Sequence, residues 1–465
     1  MKTKGTKRTR VKGAPTAAEA HLASYAELRR IADKILRLSD ADETEVSIDA
    51  GADALTRFAN NTIHQHVAEQ FLTISVRTVL DGRTARASTN KTDEESLRRV
   101  VAASARLARS QPKYPGLLPM PRAQTYAKVK RWCEATAAAS PEDRARAVAR
   151  ICRRAAQEKQ TAAGTYSSGA TRSLLANSKG LAASYEQTRA EFSVTVMEEQ
   201  SSGWAKASAA DIRSLDADAL AARASQKAAA SRAPRELAPG RYTVILEPAA
   251  ALDMVGYLFY DFAGTAVQDQ RSCLNERMGK KIFGENITLW DDVTHADQLG
   301  APFDGEGMPR QKVLLVERGV PKSLVYSRET ARKMKTKPTG HGLSLPNEWG
   351  EAPVNLVLEG GKSSLEEMIG TTARGILVTR LWYIREVDPY EKVMTGMTRD
   401  GTFLVENGRV TGGIRNFRFN QSVLEMLANA EMLGPAARAC GEEASDMVIP
   451  AMKVRDFHFS EVTKF

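Results

Sequence analysis

The sequence predicts an α+β protein, with two N-terminal units resembling α/β sandwiches and then a large β-rich C-terminal domain. Three observations carry this expectation. Runs with period-two alternation recur along the chain, separated by hairpin-type turn residues. In the first half, amphipathic helices with cap signatures bracket those runs. In the second half, Gly-rich turns dominate and strong helical stretches are few. A chain of 465 residues is too long for one core, so several domains are expected. The expected boundaries are 1–24 (basic tail), 25–110, 111–139 (linker), 140–238 and 239–465.

Taken in order, Lys2 to Lys12 hold six basic residues and no acid. Such a tail lacks apolar anchors and is expected to be disordered. It accounts for six of the formal +10, leaving +4 for the rest, so nucleic acid is not expected as the main partner. "AELRRIADKILRLSD" (26–40) puts Leu28, Ile31, Ile35 and Leu36 on one helical face. "EVSIDAG" and the run through "FLTISVRTVL" read as strands, with turns at Asn60-Asn61 and Asp81-Gly82. The next helix is expected to open with a Thr92–Glu95 capping box and run to about Arg109. The Pro-rich "QPKYPGLLPMP" (111–121) reads as linker.

Ser140-Pro141 opens a helix over 141–158, with Ser as N-cap and Pro at the first helical position. Three or four antiparallel strands follow, with "NSKG" (177–180) as a hairpin turn, then an Ala-rich helix over 216–232. From "RYTVILEP" (241–248) onward, strand-like runs alternate with Gly turns, and one long hairpin turns at Asn407-Gly408. Two helices are expected here, "ALDMVGYLFYDFA" (251–263), apolar almost all round, and "NQSVLEMLANAEMLG" (420–434).

Apolar content of 42% with 26% charge suits a water-soluble chain, and no apolar run approaches about 18 residues. With no apolar signal segment behind the basic start, the expected compartment is the cytoplasm, with no membrane partner. Cys133, Cys152, Cys273 and Cys440 lie far apart, a pattern of reduced thiols and not of a disulfide framework or zinc ribbon.

No catalytic set assembles from the residues alone. HExxH and G-x-S-x-G are both absent. His64 and His66 share one strand face, and His341 lies in a Gly-flanked loop. "GGKSS" (360–364) lacks the first P-loop glycine and reads as a helix cap, with Ser363 or Ser364 as N-cap. "FDGEGMP" (303–309) sets Asp304 and Glu306 in a tight turn, where two carboxylates would suit a cation or a peptide amine.

Several phrases in a fixed order do point to a family. "RFANNTIHQ" (57–65), "NSKG", "NERMGKKIFGENITLWDD" (275–292), "FDGEGMP", "KPTGHG" (337–342), "GTTARGILV" (370–378) and "FLVENGRV" resemble the TldD/PmbA family, once labelled modulators of DNA gyrase. The resemblance runs from about residue 25 to the C-terminus and implies a C-terminal domain of the TldD/PmbA type. It further implies a cytosolic metalloprotease built from two related subunits. The TldD-type subunit holds zinc through an HExxxH helix and a distant Cys; the PmbA (TldE)-type subunit lacks the motif. Its implied substrates are unfolded or extended peptides, including modified-peptide precursors and labile antitoxins, bound as an added strand.

By position, the family's zinc helix corresponds to 251–263, with Val255, Gly256 and Tyr260 at its His, Glu and His positions and Cys440 near its Cys ligand. The resemblance therefore implies a PmbA-type subunit of a heterodimer, with no catalytic residue and no metal of its own. Zinc is expected in a TldD-type partner, and within this chain Cys440 is the one candidate for a residual ligand at the degenerate positions. Asp304, Glu306 and His341 are the peptide-groove candidates. Two alternatives stand beside this reading. One is a metallopeptidase with atypical ligands drawn from His341, Cys440 or His64/His66. The other is a nucleic-acid-associated regulator. Homodimerisation is left open.

Overall fold

The structure is a computed structural model and describes residues 22–463. The expected basic tail lies outside the described residues except for positions 22–24. Helix α1 (Tyr25–Leu38) starts from a reciprocal capping box between Ser24 and Glu27, and buries Leu28, Ala32 and Ile35. Strands β1 (Glu43–Ala59) and β2 (Thr62–Leu80) make a long hairpin; its turn residues Asn60 and Asn61 are both left-handed, with φ of 50° and 58°. β3 (Arg83–Thr89) and α2 (Glu94–Arg109) complete the first unit.

The cap of α2 differs from expectation: Asp93, not Thr92, accepts the Ser96 N–H at 2.9 Å. A carboxylate at the helix N-terminus also meets the positive end of the macrodipole, which the Thr hydroxyl does not. The 111–139 segment carries one short helix, α3 (Glu134–Ala137), and is otherwise irregular. It is pinned along its length, with Met120 N–H donating to Glu43 (2.8 Å) and Arg131 donating to the carbonyls of Val293 (3.1 Å) and His295 (2.8 Å). Helix α4 (Pro141–Gln157) keeps the expected Ser140 cap and Pro141 start. β4 (Thr161–Asn177), β5 (Ala182–Met197), β6 (Ser202–Ala209) and α5 (Ala217–Ala230) follow.

β1 pairs with both β2 and β4, so the two N-terminal units share one antiparallel sheet of order β3-β2-β1-β4-β5-β6. Val46 and Ile48 of β1 meet α1 and α2, while Phe58 meets α4 and α5, in two buried clusters. The alternation of β1 is thus the reason one face of the sheet takes the helices.

The C-terminal part contains β7 (Gly240–Leu246), α6 (Pro248–Val255), α7 (Gly264–Gln268), β8 (Leu289–Asp291), β9 (Val313–Glu317), β10 (Val320–Pro321), α8 (Arg328–Lys333) and β11 (Leu356–Leu358). It continues with α9 (Leu365–Gly370), β12 (Arg374–Asp388), β13 (Val393–Glu406), β14 (Arg409–Gly413), β15 (Phe417–Ser422), α10 (Val423–Ala428), β16 (Ala430–Leu433), β17 (Arg438–Ala439), β18 (Met447–Val448) and β19 (Met452–Val462). Five strands, β12-β7-β19-β15-β13, close on themselves because β13 also pairs with β12. β14 and β16 attach outside this ring, and a second sheet runs β10-β9-β8-β11-β18-β17. Closure removes exposed edges from the ring, so strand addition would have to use another edge. Ser364 caps α9, accepting the Glu367 N–H, as the sequence suggested.

Both helices expected in this domain are shorter than their patterns. Residues 251–263 are not one helix: α6 ends at Val255 and two single 3₁₀ turns follow, Gly256–Leu258 and Tyr260–Phe262. The tightened turns put Leu258 and Phe262 into the core and leave Phe259 42% exposed. Of 420–434 only α10 is helical, because Phe417 and Phe419 alternate into the core on one side and Ala430–Leu433 pairs with β19 on the other. Tertiary strand pairing overrides the helical period here. Arg380 ties the barrel to the N-terminal sheet: it pairs with Asp400 and Glu442 and lies 4.8 Å over the Trp204 ring.

Candidate functional site

Helix α6 lies inside the C-terminal core, and every residue from Ala250 to Val255 is buried, which accounts for its apolar circumference. Asp253 is the exception in chemistry. Its carboxylate receives the backbone N–H groups of Glu442 (3.1 and 3.0 Å), Glu443 (3.0 Å) and Ala444 (3.1 Å). A Cβ at Gly441 would lie 2.0 Å from the Asp253 Oδ1, so only glycine lets the loop wrap so closely. A Cβ at Gly256 would likewise lie 2.5 Å from that of Ala444. The segment carrying Cys440 is therefore docked against the helix carrying Val255 and Gly256, although about 185 positions separate them. Burial raises Asp253 to about 6 against the pull of the three N–H donors.

The side chains at the positions that the family resemblance assigns to a metal do not match zinc's usual donors. Val255 and Gly256 offer no side-chain lone pair, and both are buried. Tyr260 packs edge-on to Trp349 (centroids 5.1 Å apart), and burial raises its phenol, keeping it protonated. Cys440 is also buried, its thiol pushed up to about 11 and donating to Ser208 Oγ at 3.3 Å. Zinc takes thiolate, not thiol. Around Cys440, Ser208 donates to Asp446 (2.6 Å), and Arg189 and Arg438 both pair with that carboxylate (2.8 and 3.0 Å). This cluster joins β5 and β6 to the C-terminal domain. His64 and His66 lie on the exposed part of β2, with His66 Nδ1 2.9 Å from Thr56 Oγ1. Among the described residues no group of three or more His, Cys, Asp or Glu side chains is placed to hold a metal.

The three groove candidates come together, but only one faces open space. Asp304 is buried and fully used, accepting N–H groups from Glu306 (2.9 Å), Met308 (2.8 Å) and Gly342 (2.8 Å). His341 is buried as well, its Nε2 2.8 Å from Asp291 Oδ1 and its Nδ1 2.9 Å from Thr339 Oγ1. Both are structural hubs, since a Gly-flanked turn can fold back on itself and satisfy its own polar groups. Glu306 is different: its Oε2 accepts the Arg328 N–H (2.9 Å), yet it lines a cavity of about 460 Å³.

Sequence reasoning missed the far wall of that cavity. It comes from the 111–121 segment, where Tyr114, Leu117 and Leu118 face α7, α8 and residues 345–350. Tyr114 donates to Glu329, Arg332 to the Gly116 carbonyl (2.9 Å) and Arg328 to the Pro119 carbonyl (2.7 Å). The bulky apolar Tyr114, Leu117 and Leu118 inside a Pro-rich stretch were the available signal. Such side chains seldom sit in a free linker.

Family profiles match in three consecutive pieces. Residues 44–108 match domain 1 of the PmbA/TldA metallopeptidases, 121–232 the central domain and 239–461 the C-terminal domain. A protein named metalloprotease from Methanothermobacter thermautotrophicus is 26% identical over 240 residues, 47% of this chain and 50% of that protein. Metalloprotease PmbA of Escherichia coli O157:H7 is 23% identical over 303 residues, 63% of this chain and 64% of that protein. The chain thus spans between half and two thirds of the length of these two relatives. The crystal structure of TldE from Thermococcus kodakarensis superposes with a TM-score of 0.85, covering 93% of this chain and 99% of that one at 22% identity. That likeness concerns the fold.

Proposed function

The chain belongs to the PmbA/TldA metallopeptidase family, and we propose that within it the chain is a subunit without zinc. In this reading it completes a cytoplasmic heterodimer whose TldD-type partner supplies the zinc and cleaves unfolded or extended peptides. The observation that carries the reading is the donor set: Val255 and Gly256 with no lone pair, and Tyr260 and Cys440 both held protonated. Zinc, when bound in the partner, would polarise the scissile carbonyl and activate water. What this chain contributes is structure and binding surface. Asp253 and its ring of N–H groups keep the former metal region closed and packed. Phe259 and Trp349, exposed on either side of Tyr260, offer apolar area beside it. Within the described residues no helix is long and apolar enough to cross a membrane, which is compatible with the cytoplasmic assignment.

The test is co-expression with a family member that carries HExxxH. The expected result is co-purification, zinc in the partner alone, and peptide cleavage by the pair but not by this chain. Stoichiometric zinc together with cleavage by this chain alone would overturn the proposal in favour of atypical ligands.

A further inference from the structure

The cavity beside Glu306 has the chemistry of a binding site. Its walls are apolar on one side, with Leu117, Leu118 and Pro346, and hydroxylic on the other, with Thr265, Ser327 and Thr330. At about 460 Å³ it lies in the range of small-ligand sites. The hydroxylic wall is held from behind by Glu351, fully buried, which accepts the N–H groups of Thr265 (2.6 Å) and Ser327 (3.0 Å). Glu306 is only 4% exposed, and its Oε1 has no hydrogen-bond donor among the described residues. The cavity therefore leaves one oxygen of a nearly buried carboxylate open to a donor that enters it.

The charges around the cavity favour a cation. Of the four carboxylates that line it, Glu329 pairs with Lys333 at 2.7 Å and Asp269 with Arg271 at 2.8 Å, which leaves Glu306 and Glu348 without a side-chain cation among the described residues. A hard metal ion is a poor match, because it needs six or more oxygens and the three contacts of Asp304 are all with backbone N–H groups. A guanidinium is also disfavoured. Its two-pronged fork would have to share Oε2 with the Arg328 N–H, whereas a single ammonium needs Oε1 alone. One free oxygen at the base of an apolar-walled cavity suits a single ammonium on an aliphatic stem.

We propose that this cavity binds a primary ammonium group carried on a short aliphatic stem, with Glu306 as its counter-ion and Leu117, Leu118 and Pro346 against the stem. A peptide α-amine and a lysine side chain both present that group. The proposal draws on the peptide-binding reading only for the source of the amine; the site itself belongs to this chain. Burial and the neighbouring Asp304 raise Glu306 to about 7, with Arg328 and Arg77 pulling the other way. Near neutral pH the carboxyl is therefore partly protonated, and ammonium binding would expel that proton.

The experiment uses the full chain without any zinc-bearing partner, so its failure leaves the subunit proposal standing, and the reverse. Calorimetry would compare four tripeptide amides. One is acetylated with a central lysine, one has a free α-amine and no lysine, one is acetylated with central norleucine, and one is acetylated with central arginine. The expected result is binding of the first, the second or both, the first arm reporting a lysine and the second an N-terminus. Affinity should exceed that of the norleucine and arginine peptides by about tenfold or more, equivalent to about 1.4 kcal/mol. Binding should release protons, and that of the lysine peptide, whose ammonium stays charged throughout, should tighten from pH 6 to pH 8. Glu306→Gln should abolish the preference, and Leu118→Trp should block binding by filling the cavity while leaving Glu306 intact. Binding of both the lysine and the free α-amine peptides no better than that of the norleucine and arginine peptides, no binding by any, or an unchanged preference in Glu306→Gln would overturn the proposal.

Discussion

Replacing Asp253 separates two contributions that the structure sets against each other. The carboxylate satisfies three backbone N–H groups of the 442–444 loop, and a buried unsatisfied donor costs about 1–3 kcal/mol. Taking about 2 kcal/mol each, Asp253→Ala forfeits about 6 kcal/mol. Against this, the buried carboxyl is raised from 3.8 to about 6, so holding it ionised at neutral pH costs roughly 3 kcal/mol, which the alanine recovers. The net expectation is a loss of about 3 kcal/mol. Asp253→Asn keeps one acceptor oxygen among the donors and also escapes the ionisation cost, so its loss should be about 1 kcal/mol or less.

The pH dependence has a definite sign. The folded-state value lies above the unfolded one, so this carboxyl binds a proton more tightly when folded. Its contribution to stability is highest near pH 4 and declines as pH rises through about 6. Wild type should therefore gain stability relative to the asparagine variant on going from pH 7.5 to pH 5. Denaturant titrations of wild type and both variants at these two pH values measure this directly. The argument fails if alanine is tolerated as well as asparagine, or if the difference between wild type and the asparagine variant is flat with pH.

Two further outcomes are expected. Glu45 is buried and pairs with Arg77 (2.9 Å) and Arg86 (2.7 Å), which pins β1 to β2 and β3, so Glu45→Ala should cost about 3–5 kcal/mol by leaving Arg77 buried and unpaired; a loss below about 1 kcal/mol in denaturant unfolding would contradict this. Grafting Val255→His, Gly256→Glu and Tyr260→His should yield well under one zinc per chain by metal analysis, because a Cβ at 256 collides with Ala444. Full zinc loading by that triple variant, without a change at Ala444, would refute the account of the closed region.

Local features were legible from the residues. The Ser24 and Ser140 caps are short-range devices, since cap and recipient lie three positions apart. Asn60-Asn61 and Asn407-Gly408 were legible for the same reason, all four residues being left-handed as tight hairpins require. The patterns that misled were those where two periods compete. Residues 420–434 have helical spacing, yet their ends are drawn into strands by partners at Val393–Met397 and Met452–Val454.

By itself, the sequence determined the α+β class, the family, and the absence of side-chain ligands at Val255 and Gly256, because each depends on residue type or on neighbours a few positions away. Only the tertiary structure decided that β13 closes a barrel onto β12, that the loop after Cys440 closes over Asp253, and that Tyr114 and Leu117 wall a cavity whose base is Glu306. Those outcomes depend on which surfaces meet across tens to hundreds of residues. Burial at such meetings raises the carboxyl of Asp253 and the thiol of Cys440, and no local pattern encodes it.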